Sequence, residues 1–192
     1  MNLPNTLTLS RIVMTFILMG FLFIPALFAK CLALLFFLLA CLTDFLDGRI
    51  ARQRNQISDF GKIMDPVADK ILVIGIFLAF VQMQLVPAWM VFVIIIREFL
   101  ITGLRLFAIR KGKVLAAESI GKHKTVSQMV TIFFILLFLV VRESGVRFSF
   151  WNEDYQNIFK AVILIFMSLT VVLTLYSGFS YLWQNKKLIR SL

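Results

Sequence analysis

The sequence predicts an all-α integral membrane protein, a bundle of six transmembrane helices with a short amino-terminal interfacial segment. Three observations lead there. Of 192 residues, 60% are hydrophobic and 16% charged, far from the ~45–50% and ~25% of soluble domains. The apolar residues gather into six runs, each near the roughly 20 residues that cross a bilayer as a helix. Lysine and arginine fall mostly in the gaps between those runs.

The elements follow in order. Residues 1–10 are polar and carry Pro4, Asn5, Thr6, Thr8 and Ser10, which suits a short helix or cap lying at the membrane surface. The apolar runs occupy residues 9–29, 31–48, 66–86, 87–108, 126–141 and 158–183. Each is expected to be a helix, because an open strand leaves its backbone groups unsatisfied in lipid. The first run is read as a retained span: a second follows almost at once, with no small-x-small cleavage pattern between them. No repeat or flexible linker interrupts the chain, so residues 1–192 are expected to form one domain.

Charge gives the orientation. With both termini in the cytoplasm, fifteen lysines and arginines lie on the inner side, four (Lys30, Arg142, Arg147 and Lys160) lie outside, and Arg97 lies within a span. That is a strong positive-inside bias. The net charge of +10 is thereby explained by loop retention and anionic headgroups, and no nucleic-acid partner is implied. Cys31 and Cys41 share one apolar stretch without zinc or redox spacing, and read as buried thiols. The longest polar gaps are 49–65, 110–125 and 142–157. Site chemistry is expected at the two inner gaps, whereas Trp151 and Tyr155 in the outer one read as interfacial anchors.

Four aspartates stand at the inner ends of two spans. Asp44 and Asp47 are three apart, and Asp65 and Asp69 four apart, so each pair shares a helical face. A charged side chain at mid-bilayer costs about 2.5–3.5 kcal/mol, less near the interface, and facing carboxylates add repulsion. Divalent cations offset both costs, and hard carboxylate oxygens suit Mg²⁺ or Mn²⁺ rather than zinc. Gly48, Ala51 and Gly61 leave room beside the carboxylates for a bulky ligand, and Arg52 adds a planar fork for a phosphate. The plainer alternative has Asp44 and Asp47 ending a helix and pairing with Arg49 and Arg52. It leaves Asp65, Asp69 and both glycines without a role.

The stretch Asp44-x2-Asp47-Gly48-x2-Ala51-Arg52-x8-Gly61-x3-Asp65-x3-Asp69 resembles the motif of the CDP-alcohol phosphotransferase family at every defined position. The resemblance implies a two-metal site with Asp44, Asp47 and Asp65 on one ion and Asp44, Asp65 and Asp69 on the other. It further implies Asp69 as general base, Gly48, Arg52 and Ser58 against the CDP moiety, and the segment around Asn5 and Thr8 closing over the nucleotide. Related enzymes are commonly homodimers, so a homodimer is expected as well.

The motif leaves the acceptor alcohol open. Arg97, Glu98 and Arg105 lie within the fourth apolar run, and Arg110, Lys111, Lys113, Lys122 and Lys124 follow it. Ionisable groups inside a span point to function, and a positive cluster on the face of the aspartates suits an acceptor that carries its own phosphate. Arg97, Arg105, Arg110, Lys122 and Lys124 are the candidate phosphate ligands. Lys111 and Lys113 read as ordinary anchors, Glu98 as the partner of a neighbouring arginine, and His123 as a residue without a ligand set. The run Arg97-Glu98-Phe99, Gly103-Leu104-Arg105, 113–117 and Gly121-Lys122-x-Lys124-Thr125 resembles the phosphatidylglycerophosphate synthase branch. That branch joins CDP-diacylglycerol to sn-glycerol 3-phosphate at the bacterial inner membrane. Cardiolipin synthases and inositol-phosphate transferases of the same family are the alternatives. Outside the enzymes, a cation transporter would use the acidic groups but gives Arg52, Gly48 and Gly61 no task.

Overall fold

The computed structural model describes the backbone of residues 3–54, 59–110, 120–148 and 151–186, and the side chains of residues 9–44, 67–110, 123–148 and 151–186. It contains six helices, α1 (Leu3–Phe23), α2 (Leu27–Arg54), α3 (Asp59–Gln82), α4 (Ala88–Arg110), α5 (Ile120–Arg147) and α6 (Glu153–Gln184). There is no strand among the described residues.

Packing closes the helices into a ring. α1 lies against α2 and α3, α2 against α5, α5 against α6, α6 against α4 and α4 against α3, while α3 also reaches α5. The central position of α3 is visible in its side chains: Leu72, Val73, Ile76, Phe77, Ala79 and Phe80 are all buried. They meet Leu18 and Leu22 of α1, Phe37 of α2, Ile94 of α4, Ile132 and Ile135 of α5, and Met167 of α6 in one core. The outer surface is equally apolar, with Phe16, Phe28, Leu106, Ile165 and Phe179 more than three-fifths exposed. Such a surface suits contact with lipid. The windows Leu27–Asp44, His123–Arg147 and Glu153–Gln184 are long and apolar enough to cross a membrane, and Leu9–Phe23 is a shorter apolar helix. α3 and α4 are as long as spans, at 24 and 23 residues, but carry charges within them.

Several expected boundaries move. The first span stops at Phe23, not residue 29, because Pro25 has no amide hydrogen and the chain turns there, with Ala26 N donating to Ile24 O at 2.9 Å. Lys30, expected in an outer loop, lies in the first turn of α2 and is buried, its Nζ donating to the carbonyls of Leu22 and Ile24. It thus caps the open carbonyls of α1, where a cation is favoured by the helix dipole. The polar opening stretch is helical and continuous with the rest of α1 from Leu3 onward. The outer gap expected over 142–157 is mostly helical, since α5 continues to Arg147 and α6 starts at Glu153 behind an Asn152 cap. In the remaining turn Trp151 packs on Phe138 and Phe159, while Tyr155 stays exposed.

Candidate active site

Both halves of the aspartate motif lie on continuous helix. Asp44 to Arg52 falls on α2 and Gly61 to Asp69 on α3, so positions 44 and 47, and positions 65 and 69, share a helical face by their spacing. The side chains of Asp47, Gly48, Arg52 and Asp65 lie outside the described residues, as does Ser58 altogether. Asn5 and Thr8 lie on α1, and Lys122 on α5, again with their side chains outside that set. Among the described residues no group of three His, Cys, Asp or Glu could hold a metal. Of the aspartates, the structure therefore describes the side chains of Asp44 and Asp69.

These two stand in a chain of charge that crosses the bundle. Arg11 Nη1 of α1 pairs with Asp44 Oδ1 of α2 at 2.8 Å, the guanidinium side chain only 2% exposed and the carboxylate 53%. Asp69 lies within Coulombic reach of Asp44, Arg11, Glu98 and Lys124. Glu98 Oε1 of α4 in turn receives Lys124 Nζ of α5 and lies 3.5 Å from Arg97 Nη1. Arg97 Nη2 donates to Ser177 Oγ of α6 at 3.0 Å. The approach of α6 is close at that point: a Cβ on Gly178 would sit 3.1 Å from Arg97 Cγ. Six helices thus contribute to one polar layer at the end of the bundle that holds Asp44 of α2 and Asp69 of α3.

The expected phosphate ligands separate. Arg97 and Lys124 converge on one carboxylate oxygen. Arg105 is exposed, its guanidinium carbon 5.8 Å from the centroid of the Tyr181 ring, and eight residues of helix displace it by about 12 Å along the axis from Arg97. Arg110 is exposed at the last turn of α4. Lys70, outside the expected set, donates from Nζ to Thr102 Oγ1 at 2.6 Å. His123 is exposed at the mouth of an α5–α6 groove with Ser127, Thr131 and Thr170, and the hydroxyls of Thr131 and Thr170 bond across the two helices.

Arg11 and Ser177 of the layer escaped sequence reasoning, and Glu98 was read only in part. Arg11 counts there only as an inner charge, yet Arg11, Thr15, Leu18 and Leu22 recur at spacings of four, three and four and are all buried. A cation on the buried stripe of a span needs an anionic partner, and that periodicity was the available signal. Glu98 does meet a neighbouring arginine, as expected, but its second contact, to Lys124, joins positions 26 apart. Local spacing carries no trace of such a pairing.

The arrangement fits a metal-assisted transfer. Asp44 is half open to the medium, and its oxygens and those of Asp69 are hard donors that repel one another without a cation between them. Comparison with known proteins gives the same direction. A family model described as CDP-alcohol phosphatidyltransferase matches residues 1–176. The chain is 35% identical, over 99% of its length and 98% of the relative's, to a Bacillus subtilis protein named CDP-diacylglycerol–glycerol-3-phosphate 3-phosphatidyltransferase. A Rickettsia bellii protein of the same name is 35% identical over 97% of this chain and 96% of its own. One from Treponema pallidum is 38% identical over 78% and 67%. With its motif on two consecutive helices and a match spanning residues 1–176, this chain belongs to the CDP-alcohol phosphatidyltransferase family.

Proposed function

We propose that this chain transfers the phosphatidyl group of CDP-diacylglycerol to sn-glycerol 3-phosphate, releasing CMP and forming phosphatidylglycerophosphate in phospholipid biosynthesis. The observation that carries the choice of acceptor is the convergence of two nearly buried cations, Arg97 and Lys124, at Glu98, with Lys124 within Coulombic reach of Asp69. A neutral alcohol needs no such pair, whereas a phosphate-bearing one does. The names of the relatives support the same substrates. Membership in an enzyme family also sets the cation-transporter alternative aside.

Asp44, Asp47, Asp65 and Asp69 would hold two Mg²⁺ or Mn²⁺ ions. When bound, such ions neutralise the diphosphate and stabilise the departing CMP. The chain's own residues do the remaining work. Gly48, Arg52 and Ser58, with Asn5 and Thr8 of the amino-terminal segment, hold the cytidine diphosphate. Asp69 accepts the proton of the acceptor hydroxyl as its oxygen attacks the lipid-side phosphorus in line. One oxygen–phosphorus bond forms, the bond to CMP breaks, and the acceptor's own phosphate stays in the product. Arg97 and Lys124 hold that phosphate so that the hydroxyl faces the donor, with Arg105, Arg110 and Lys122 guiding it in.

We further propose one catalytic domain in a homodimer of the bacterial inner membrane, with termini and site in the cytoplasm. The charge count supports the orientation, and the family resemblance supports the dimer. The decisive experiment supplies purified protein with CDP-diacylglycerol and, in turn, glycerol 3-phosphate, phosphatidylglycerol, inositol phosphate, inositol or serine, and identifies the lipid formed. Glycerol 3-phosphate should be used at far higher efficiency than the rest, with metal-dependent release of CMP. Equal use of a phosphate-free alcohol would overturn the reading.

A further inference from the structure

A charged group of the polar layer that the reaction leaves unused is Glu98. A glutamate beside a phosphate site is unexpected, since it repels the ligand. Here it is not peripheral: its side chain is 13% exposed, and a single oxygen, Oε1, takes both Lys124 Nζ and Arg97 Nη1. Two cations on one anionic oxygen is the geometry that a phosphate oxygen would itself adopt. The surroundings remain short of hydrogen-bond partners. Gln128, one turn from Lys124 on α5, and Thr174, one turn from Ser177 on α6, are 3% and 0% exposed. Gln128 Nε2 and Thr174 Oγ1 have no partner among the described residues. Buried polar atoms without partners call for an explanation, and the oxygens of a bound anion would supply acceptors for both.

We propose that Glu98 is an internal counter-anion of the acceptor site, which holds Arg97 and Lys124 while no phosphate is bound and competes with the phosphate for both. The proposal rests on the assignment of those two residues to the acceptor. Charge decides its direction. Arg97, Lys124 and Glu98 sum to one positive charge, which a phosphate dianion turns negative, whereas without the carboxylate the same dianion leaves the group neutral. In a nearly buried layer that difference is large. Glu98 therefore weakens acceptor binding and, because the product keeps the phosphate, displaces the product by the same competition. It is a positioning residue, acting through Arg97 and Lys124.

The test compares the native enzyme with Glu98→Gln and Glu98→Asp, each full length in detergent with Mg²⁺. Glu98→Gln should lower KM for glycerol 3-phosphate about tenfold, the effect of removing one like charge worth roughly 1.4 kcal/mol. It should lower kcat as well, through slower product release. Inorganic phosphate, added without metal or donor, should raise the melting temperature of Glu98→Gln more than that of the native protein. A residue that only supports the fold would lower the melting temperature without strengthening the response to phosphate. Glu98→Asp keeps the charge but draws the carboxylate back by one methylene, and should fall between the two. It also serves as the deciding variant if Glu98→Gln does not fold. Acceptor KM and phosphate response equal to or weaker than native in the folded variants would overturn the proposal. If instead the native enzyme does not use glycerol 3-phosphate, the acceptor assignment fails first, and the two failures are distinct.

Discussion

Replacing Gly178 by alanine places one methyl group against Arg97 and asks whether the position of that arginine matters. The added Cβ would lie 3.1 Å from Arg97 Cγ and 3.5 Å from Nε, inside the ~3.5–4.0 Å at which carbon atoms pack best. The arginine stem must then retreat by a few tenths of an ångström. Its bond to Ser177 Oγ is 3.0 Å long, so a retreat from α6 takes it toward the limit of useful geometry. A full hydrogen bond to a charged group contributes about 1.5–3 kcal/mol. Partial loss of one, about 1 kcal/mol, lowers kcat/KM for glycerol 3-phosphate roughly fivefold. Alanine in a helix gains about 1 kcal/mol over glycine, so the melting temperature should stay near native while the kinetics change. Gly20→Ala is the control, since nothing lies within 4 Å of the point its added methyl would occupy. The assay is steady-state kinetics with acceptor and donor varied in turn, beside a thermal melt. An unchanged acceptor kcat/KM, or an equal loss toward CDP-diacylglycerol, would refute the role given to Arg97.

Asp44→Asn, Asp47→Asn and Asp65→Asn should each nearly abolish transfer while the protein still inserts; near-normal turnover of any one at saturating Mg²⁺ would remove that residue from the ligand set. Arg105→Ala should lower acceptor efficiency about tenfold to a hundredfold with donor binding little changed, and Arg52→Ala should show the reverse, both read from separate substrate titrations. Arg11→Leu should cost about 1 kcal/mol of unfolding stability, at the low end for a charged hydrogen bond because the Asp44 carboxylate left behind is half solvated. Denaturant titration in micelles measures it, and no loss would mean that the 2.8 Å pair contributes nothing. Cysteine labelling should reach residues 53–62 from the cytoplasmic side and residues 145–154 from outside; labelling of the first segment from outside would reverse the proposed orientation.

Six helices were legible because each apolar run is long enough to span, and lipid permits little else. Their ends were not, because helix continues wherever polar residues still find partners. α2 runs past Asp44 to Arg54, and α5 past residue 141 to Arg147, where Arg142 pairs with Glu143 at 2.9 Å. Hydropathy ends a span at the edge of the lipid, not at the end of its hydrogen bonds. For the site, the aspartate motif was readable because its partners are near in sequence and share a helical period. Arg11–Asp44, Glu98–Lys124 and Arg97–Ser177 join residues 33, 26 and 80 positions apart. Only the order of helices around the ring brings them together, and that order is set by packing across the core rather than by any local pattern.

The polar layer draws on every helix, and this has a consequence for biogenesis. Ser177, which orients Arg97, belongs to α6, which is made after α1 to α5. Before α6 joins the bundle, Arg97 lacks that acceptor and the close wall at Gly178, although the motif helices α2 and α3 are already in place. A nascent chain halted after α5 should therefore insert and carry the aspartates, yet consume CDP-linked lipid poorly. Competence would arrive with the insertion of α6, as a checkpoint that no dedicated chaperone has to enforce.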